Sequence, residues 1–262
     1  MNITSLSNQL LFNTVRLTAT DESGNANIST GFLVTATEAK GAIPFLVTCA
    51  HSVGKAKFVE LACVRAGAGD TPQLGSIESV RISTGDLLSF ARQDSNLDVC
   101  VIPFAPILNH FETSGKRLFV RPLSLDNFIK SNQRAELNAI EDLVFVGYPK
   151  GLYDHVNLLP LIRKGISATP IWADFQGKPW FLIDAEVFAG SSGSPVFILN
   201  EGAYPTGAGL NIGTRFHFVG MIIKSLDETT TGQHIGLGTV LAAAPIEAYI
   251  GTAVRELAAK AV

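Results

Sequence analysis

What most limits the fold of this chain is its punctuation. Short runs rich in Val, Ile, Leu and Phe are broken repeatedly by Gly, Asp, Asn and Pro, and almost no segment sustains a 3.6-residue apolar period. Such a chain builds few long helices and reads as an all-β sandwich or barrel of antiparallel strands. Residues 10–17 and 30–36 pair about turn chemistry at 21–25, and 43–51 form a buried strand ending in a histidine. Further strands are expected at 57–64, 76–83, 86–91 and 97–102.

The character changes after residue 105, where the chain becomes more polar, contains Pro106 and Pro122 and holds one short helical pattern at 125–130. Apolar runs resume at 142–149, 161–166, 180–184, 196–199, 216–223 and 238–241. The expected organisation is a first β unit over 1–115, a connection over 116–140, a second β unit over 141–244 and a C-terminal helix over 245–262. In that helix Ile246, Ile250, Ala253, Val254, Leu257 and Ala258 recur at three- and four-residue steps, with Pro245 near the start.

Composition narrows the partners. With 262 residues, 47% hydrophobic and 16% charged, the chain can bury a large core. A net charge of −3 supplies no basic face for nucleic acid. No apolar run approaches the roughly 20 residues of a bilayer span, so no membrane partner is expected. Residues 1–9 lack the basic and apolar regions of a signal peptide. Cys49, Cys63 and Cys100 each lie in apolar, strand-like segments and read as buried free thiols, which fits a reducing, cytoplasmic setting. No Cys/His cluster has zinc-ligand spacing, and neither a metal nor an organic cofactor is expected.

One stretch departs from the strand-and-turn pattern. Gly190-Ser191-Ser192-Gly193-Ser194 stands between an apolar run and a strand restarted by Pro195-Val196. A flexible linker is rarely so short between two apolar strands. The other reading is a tight turn that exposes one hydroxyl and aims backbone N–H groups at a point, with those of Gly190 and Ser192 forming an oxyanion hole. A serine nucleophile needs a base, and the base an orienting group. Of His51, His110, His155, His217 and His234, only His51 closes a long apolar strand, while His217 alternates with Phe216 and Phe218 as a structural residue does. Asp98, beside Val99-Cys100-Val101-Ile102, is costly to bury without a partner, whereas its rival Asp94 begins a solvated Asp-Ser-Asn turn.

Together Thr48-Cys49-Ala50-His51, Leu97-Asp98-Val99-Cys100-Val101 and Gly190-Ser191-Ser192-Gly193-Ser194-Pro195-Val196 resemble the three signatures of chymotrypsin-fold serine proteases. The resemblance spans about residues 10–250 and lies nearer the bacterial trypsin-like branch, which includes glutamyl endopeptidases and HtrA-type proteases. It implies two antiparallel six-stranded β-barrels and an endopeptidase acting on proteins or peptides through an acyl-enzyme, without cofactor. His51 is then the general base, Asp98 its orienting partner and Ser192 the nucleophile. The α/β-hydrolase pattern fails, because Ser194 breaks Gly-x-Ser-x-Gly and the order of the three residues differs.

The resemblance also places Glu186 near the base of the S1 pocket and Ile223-Lys224-Ser225 on the edge strand to which substrate adds. Glu186 in the pocket favours a basic P1 residue; as a solvent-facing strand residue it has no such effect, and Lys224 instead favours an acidic partner. Three departures stand out. Ser191 occupies the place of the aspartate that, in secreted relatives, pairs with an N-terminus freed by cleavage, so activation of that kind is not expected. The usual disulfides are missing. Only a helix is expected after Val240, where HtrA-type proteases continue into a PDZ domain. The alternative reading is a latent or catalytically quiet module that keeps the fold to bind peptides or partner proteins.

Overall fold

A computed structural model describes residues 3–38, 41–206, 209–227 and 234–260. Its first unit opens with α1 (Leu6–Leu10), capped by Ser5, whose Oγ accepts from the Asn8 N–H. A sheet follows, built from β1 (Thr14–Thr20), β2 (Ala26–Glu38), β3 (Gly41–Thr48), β4 (Phe58–Ala66), β5 (Pro72–Ser83), β6 (Arg92–Asp94) and β7 (Val99–Pro103). Neighbours in the order β5-β4-β1-β2-β3-β7-β6 are antiparallel, and β8 (Leu123–Ser124) adds to β2 in parallel.

This sheet is not the closed six-stranded barrel that the resemblance implied. Among the described residues no ladder joins β5 to β6. The chain passes between them through α2 (Thr84–Phe90), which packs against both β5 and β7 and sinks Leu87 into the core beneath. The strand expected at 86–91 is therefore a helix. Its start explains the difference: Ser83 Oγ accepts from the Asp86 N–H at 3.1 Å, and Asp86 sits in the first turn, so a capped helix start outweighs a short apolar run.

The polar segment after residue 105 also differs from expectation. It begins with α3 (Ala105–Thr113), where Pro106 suits the first turn and Ile107 and Phe111 are buried in the first unit's core. The helix expected at 125–130 is a single 3-10 turn, Leu125–Asn127, closed by reciprocal Ser124 and Asn127 capping bonds. A short α4 (Ser131–Ala135) follows.

The second unit is a closed six-stranded barrel. β9 (Asp142–Gly147), β10 (Leu161–Ser167), β11 (Trp180–Asp184), β12 (Pro195–Asn200), β15 (Arg215–Asp227) and β16 (His234–Ala242) close in the order β10-β11-β16-β15-β12-β9. β13 (Ala203–Thr206) and β14 (Gly209–Ile212) form a separate two-stranded sheet. The chain then enters α5 (Ala243–Lys260), with Pro245 in its first turn. Ile246, Ile250, Ala253 and Val254 are buried as the periodicity requires, Leu257 is partly buried and Ala258 is exposed. No helix among the described residues is long and apolar enough to cross a membrane.

One apolar cluster joins the two units. Phe32, Phe45, Val47 and Val101 of the first meet Phe145, Phe197 and Phe218 of the barrel, with Phe128 of the connection between them. The Phe218 ring lies 5.1 Å from that of Phe32 and 4.4 Å from that of Phe128, and it is fully buried. Phe218→Ala is expected to destabilise the protein by about 3–5 kcal/mol, read from urea unfolding. A loss below about 1 kcal/mol shows that this ring does not hold the units together.

Candidate active site

Strand β3 delivers His51. The strand ends at Thr48, and Cys49 leads into a 3-10 turn, Ala50–Ser52. This turn carries the imidazole off the sheet: the His51 side chain is 54% exposed, while Cys49 two residues earlier is fully buried.

Asp98 comes from the turn between β6 and β7. Asp94 shapes that turn by accepting from the N–H groups of Asn96 at 2.8 Å and Leu97 at 3.1 Å, in keeping with its Asp-Ser-Asn pattern. Asp98 itself adopts φ 56°, a left-handed conformation that aspartate enters more readily than most residues. Its carboxylate meets His51 at two points. Oδ1 accepts from the His51 backbone N–H at 3.0 Å, and Oδ2 lies 2.7 Å from Nδ1. With a carboxylate as acceptor, Nδ1 is the donor of this bond, which in the neutral imidazole leaves the lone pair on Nε2.

Ser192 sits in a loop whose peptide planes are individually held. The Ala189 carbonyl accepts from the Lys150 N–H at 2.6 Å, and the Gly190 carbonyl from Thr30 Oγ1 at 3.0 Å. The Ser191 carbonyl accepts from the Ser194 N–H at 3.0 Å, and the Ser192 carbonyl from the Thr30 N–H at 2.9 Å. In a trans peptide the N–H points opposite to the C=O. Fixing the Ala189 and Ser191 carbonyls therefore fixes the N–H groups of Gly190 and Ser192, and among the described residues neither has an acceptor. Gly190 is required here: its φ is 92°, and a Cβ would stand 2.4 Å from the Tyr148 carbonyl oxygen.

Two hollows share His51, Ala189 and Ser192. One, about 270 Å³, is also lined by Asp98, Phe188, Ile223, Lys224 and Ser225. The other, about 370 Å³, includes Ser29, Ser52 and Lys55. Ile223, Lys224 and Ser225 thus line the same hollow as Ser192. Glu186 does not. Ala185 and Val187 are buried and the residue between them is exposed, and its backbone carbonyl accepts from Arg163. A larger hollow of about 590 Å³, lined by Glu136, Arg215 and His217, shares no residue with this cleft. Burial, aided by Arg215, holds the His217 imidazole below its usual pKa. Thr30 and the Lys150 backbone, which order the loop, carry no motif in the sequence.

The family sequence pattern of the trypsin-like peptidase domain matches residues 29–203, well over half of the chain. The chain belongs to the trypsin-like peptidase family. It is accordingly a serine endopeptidase of chymotrypsin-like fold, a hydrolase. Similar solved structures include Deg5, 14% identical with a TM-score of 0.51, covering 91% of this chain and 87% of that one. The HtrA-type protease AlgW with a decapeptide is 11% identical at TM-score 0.52, covering 94% of this chain and 66% of that one. The active form of the Rv3671c protease from M. tuberculosis aligns at 16% identity and TM-score 0.48, over 92% of this chain and 81% of its own. At such identities the likeness to Deg5 and AlgW is one of fold. No curated protein matches the sequence.

All three cysteines are free and buried. Cys49 Sγ, His51 Nδ1 and an Asp98 oxygen lie within 4.8 Å of one another, but His51 and Asp98 are bonded to each other and the Cys49 thiol donates to the Ile222 carbonyl. Burial, and then the Asp98 charge, pushes the Cys49 thiol well above its usual pKa. Burial alone raises Cys63 and Cys100 from 9.0 to about 12. Between these values the unfolded chain releases protons that the folded protein retains, so stability falls as pH rises from 9 toward 12. Cys63→Ala is expected to make that fall shallower in melts across this range. Below pH 9, thiol reagents are expected to modify the protein only after denaturation; fast modification of the folded protein contradicts the buried placement.

Proposed function

We propose that the chain cleaves peptide bonds in protein or peptide substrates through His51, Asp98 and Ser192, by way of an acyl-enzyme. The observation that carries this reading is the two-point bond between Asp98 and His51, beside a serine whose loop leaves two N–H groups without acceptors. Asp98 fixes the imidazole with Nδ1–H toward it and steadies the charge once Nε2 is protonated. Ser192 Oγ passes its proton to Nε2 and attacks the scissile carbonyl carbon. The carbonyl electron pair moves onto oxygen, where the N–H groups of Gly190 and Ser192 receive it. Collapse breaks the C–N bond, the amine leaves with the proton from His51, and an ester remains on Ser192. Water, deprotonated by the same imidazole, attacks the ester carbonyl. The acyl C–O bond breaks, Ser192 Oγ takes the proton back from His51, and the acid leaves.

Before substrate arrives, the Ser192 hydroxyl donates to the Ile223 carbonyl at 3.3 Å. An extended peptide adding to β15 at Ile223–Ser225 brings its own N–H to that acceptor. The serine then turns about its Cα–Cβ bond toward Nε2. Lys224 places a cation in the hollow beside Ser192, which favours an acidic residue in the peptide, while Glu186 is not among the residues lining it.

A fluorophosphonate probe is expected to label the purified protein and not Ser192→Ala, with similar melting temperatures for both. Asp98→Asn is expected to fold and to lower turnover of a peptide substrate about 10⁴-fold. A folded wild type that takes no label refutes the triad reading and points to the latent or quiet peptide-binding module.

A further inference from the structure

Thr30 is the point at which the first unit grips the Ser192 loop, and the triad scheme leaves it without a task. It lies on β2 and is fully buried. Its hydroxyl uses every bonding capacity it has: it donates to the Gly190 carbonyl at 3.0 Å and accepts from the Tyr148 N–H at 3.2 Å and from Ser194 Oγ at 3.3 Å. Its backbone N–H donates to the Ser192 carbonyl at 2.9 Å, and its carbonyl accepts from Thr48 Oγ1 at 2.7 Å. The N–H is free for this because the β2–β3 ladder begins only at Phe32 and Val47. Room for the hydroxyl comes from Gly147, where a Cβ would stand 2.6 Å from Thr30 Oγ1.

We infer that Thr30 is a positioning residue of the reaction, whose hydroxyl sets the Gly190 peptide so that the oxyanion donors face the scissile carbonyl; this rests on the Gly190–Ser192 reading given above. Gly190 has no side chain to limit it, so the peptide planes on either side rotate unless each is held. The plane before it is held by the Lys150 N–H on the Ala189 carbonyl. The plane after it is held by Thr30 Oγ1 on the Gly190 carbonyl and by the Ser191 N–H on the Phe188 carbonyl. Thr30 reaches both, because the same hydroxyl also accepts from Tyr148 N–H at the start of the turn that supplies Lys150. Without that hydroxyl the Gly190 carbonyl is buried without a donor, an arrangement that proteins avoid. The plane after Gly190 then rotates to find another partner. With the Tyr148 N–H also released, the turn whose Lys150 N–H holds the plane before Gly190 loosens, so that the Gly190 N–H loses its fixed aim into the cleft.

The test compares wild type, Thr30→Val and Thr30→Ser on a peptide substrate and a fluorophosphonate, with melting temperature as the check on folding. Valine keeps the branched shape and removes the hydroxyl; serine keeps the hydroxyl. Thr30→Val is expected to lower kcat and the labelling rate by about tenfold or more with KM nearly unchanged, since it removes stabilisation used in the transition state. Thr30→Ser is expected to stay near wild type. A folded Thr30→Val that labels at the wild-type rate overturns the inference, as does a change confined to KM or a Thr30→Ser as slow as the valine variant. If Thr30→Val does not fold, Thr30→Cys, a weaker donor of similar size, takes its place: an intermediate rate supports the role, and a wild-type rate overturns it. Absence of label on the wild type itself marks failure of the catalytic reading rather than of this one.

Discussion

Four consecutive carbonyls, from Ala189 to Ser192, each accept a hydrogen bond, and this turns a stretch with the composition of a flexible linker into a fixed arc. Ordering two glycines costs more backbone entropy than ordering other residues, and these bonds together with close packing offset it. The donors come from three directions: Lys150 in the turn after β9, Thr30 on β2 of the other unit, and Ser194 within the arc itself. Because two of the four bonds come from the first unit, the arc depends on how the units dock. The Phe32–Phe218 contact, part of the cluster that joins the units, therefore bears on the arc.

The strands were legible because half-buried strands impose alternation and turns impose Gly, Asp and Asn. The C-terminal helix was legible through its period. What escaped was decided by caps and long-range closure. At 86–91 an apolar run of strand-like length became part of α2 because Ser83 Oγ accepts the Asp86 N–H at its start and the Asp86 carboxylate sits in its first turn. That helix in turn fills the seam where β5 and β6 needed a ladder for the first sheet to close. At 105–113 a polar surface disguised a helix that sends Ile107 and Phe111 inward.

The candidate site divides along similar lines. His51, Asp98 and Ser192 stand out because each is a residue type that its surroundings do not otherwise call for, and the structure brings all three to one cleft. The residues that shape the loop leave no such trace. Lys150 acts through a backbone N–H that any residue but proline supplies. Thr30 is one threonine in a strand, a place where threonine is common. For Glu186 the sequence leaves two places open, the base of the pocket and a solvent-facing position. Just past the end of β11, Ala185 and Val187 on either side of it are buried and the glutamate is exposed, a burial pattern that short-range spacing from Ser192 does not reveal.

The same bonds bear on Ser191. In secreted relatives an aspartate at that place draws the oxyanion loop into shape by pairing with a newly freed N-terminus. Here the side chain is a neutral hydroxyl, buried and without a hydrogen-bond partner among the described residues, so it contributes no such pull. The loop's main chain is held by other bonds. Ser191 is held through its main chain, its N–H on the Phe188 carbonyl and its carbonyl on the Ser194 N–H, while Thr30 and Lys150 hold its neighbours. Neutral hydrogen bonds from β2 and from the turn after β9 thus hold the loop where, on the proposed reading, an ion pair would do so elsewhere. An ion pair that forms only after cleavage is a switch; bonds made by the folded main chain and a buried hydroxyl are present as soon as the two units dock.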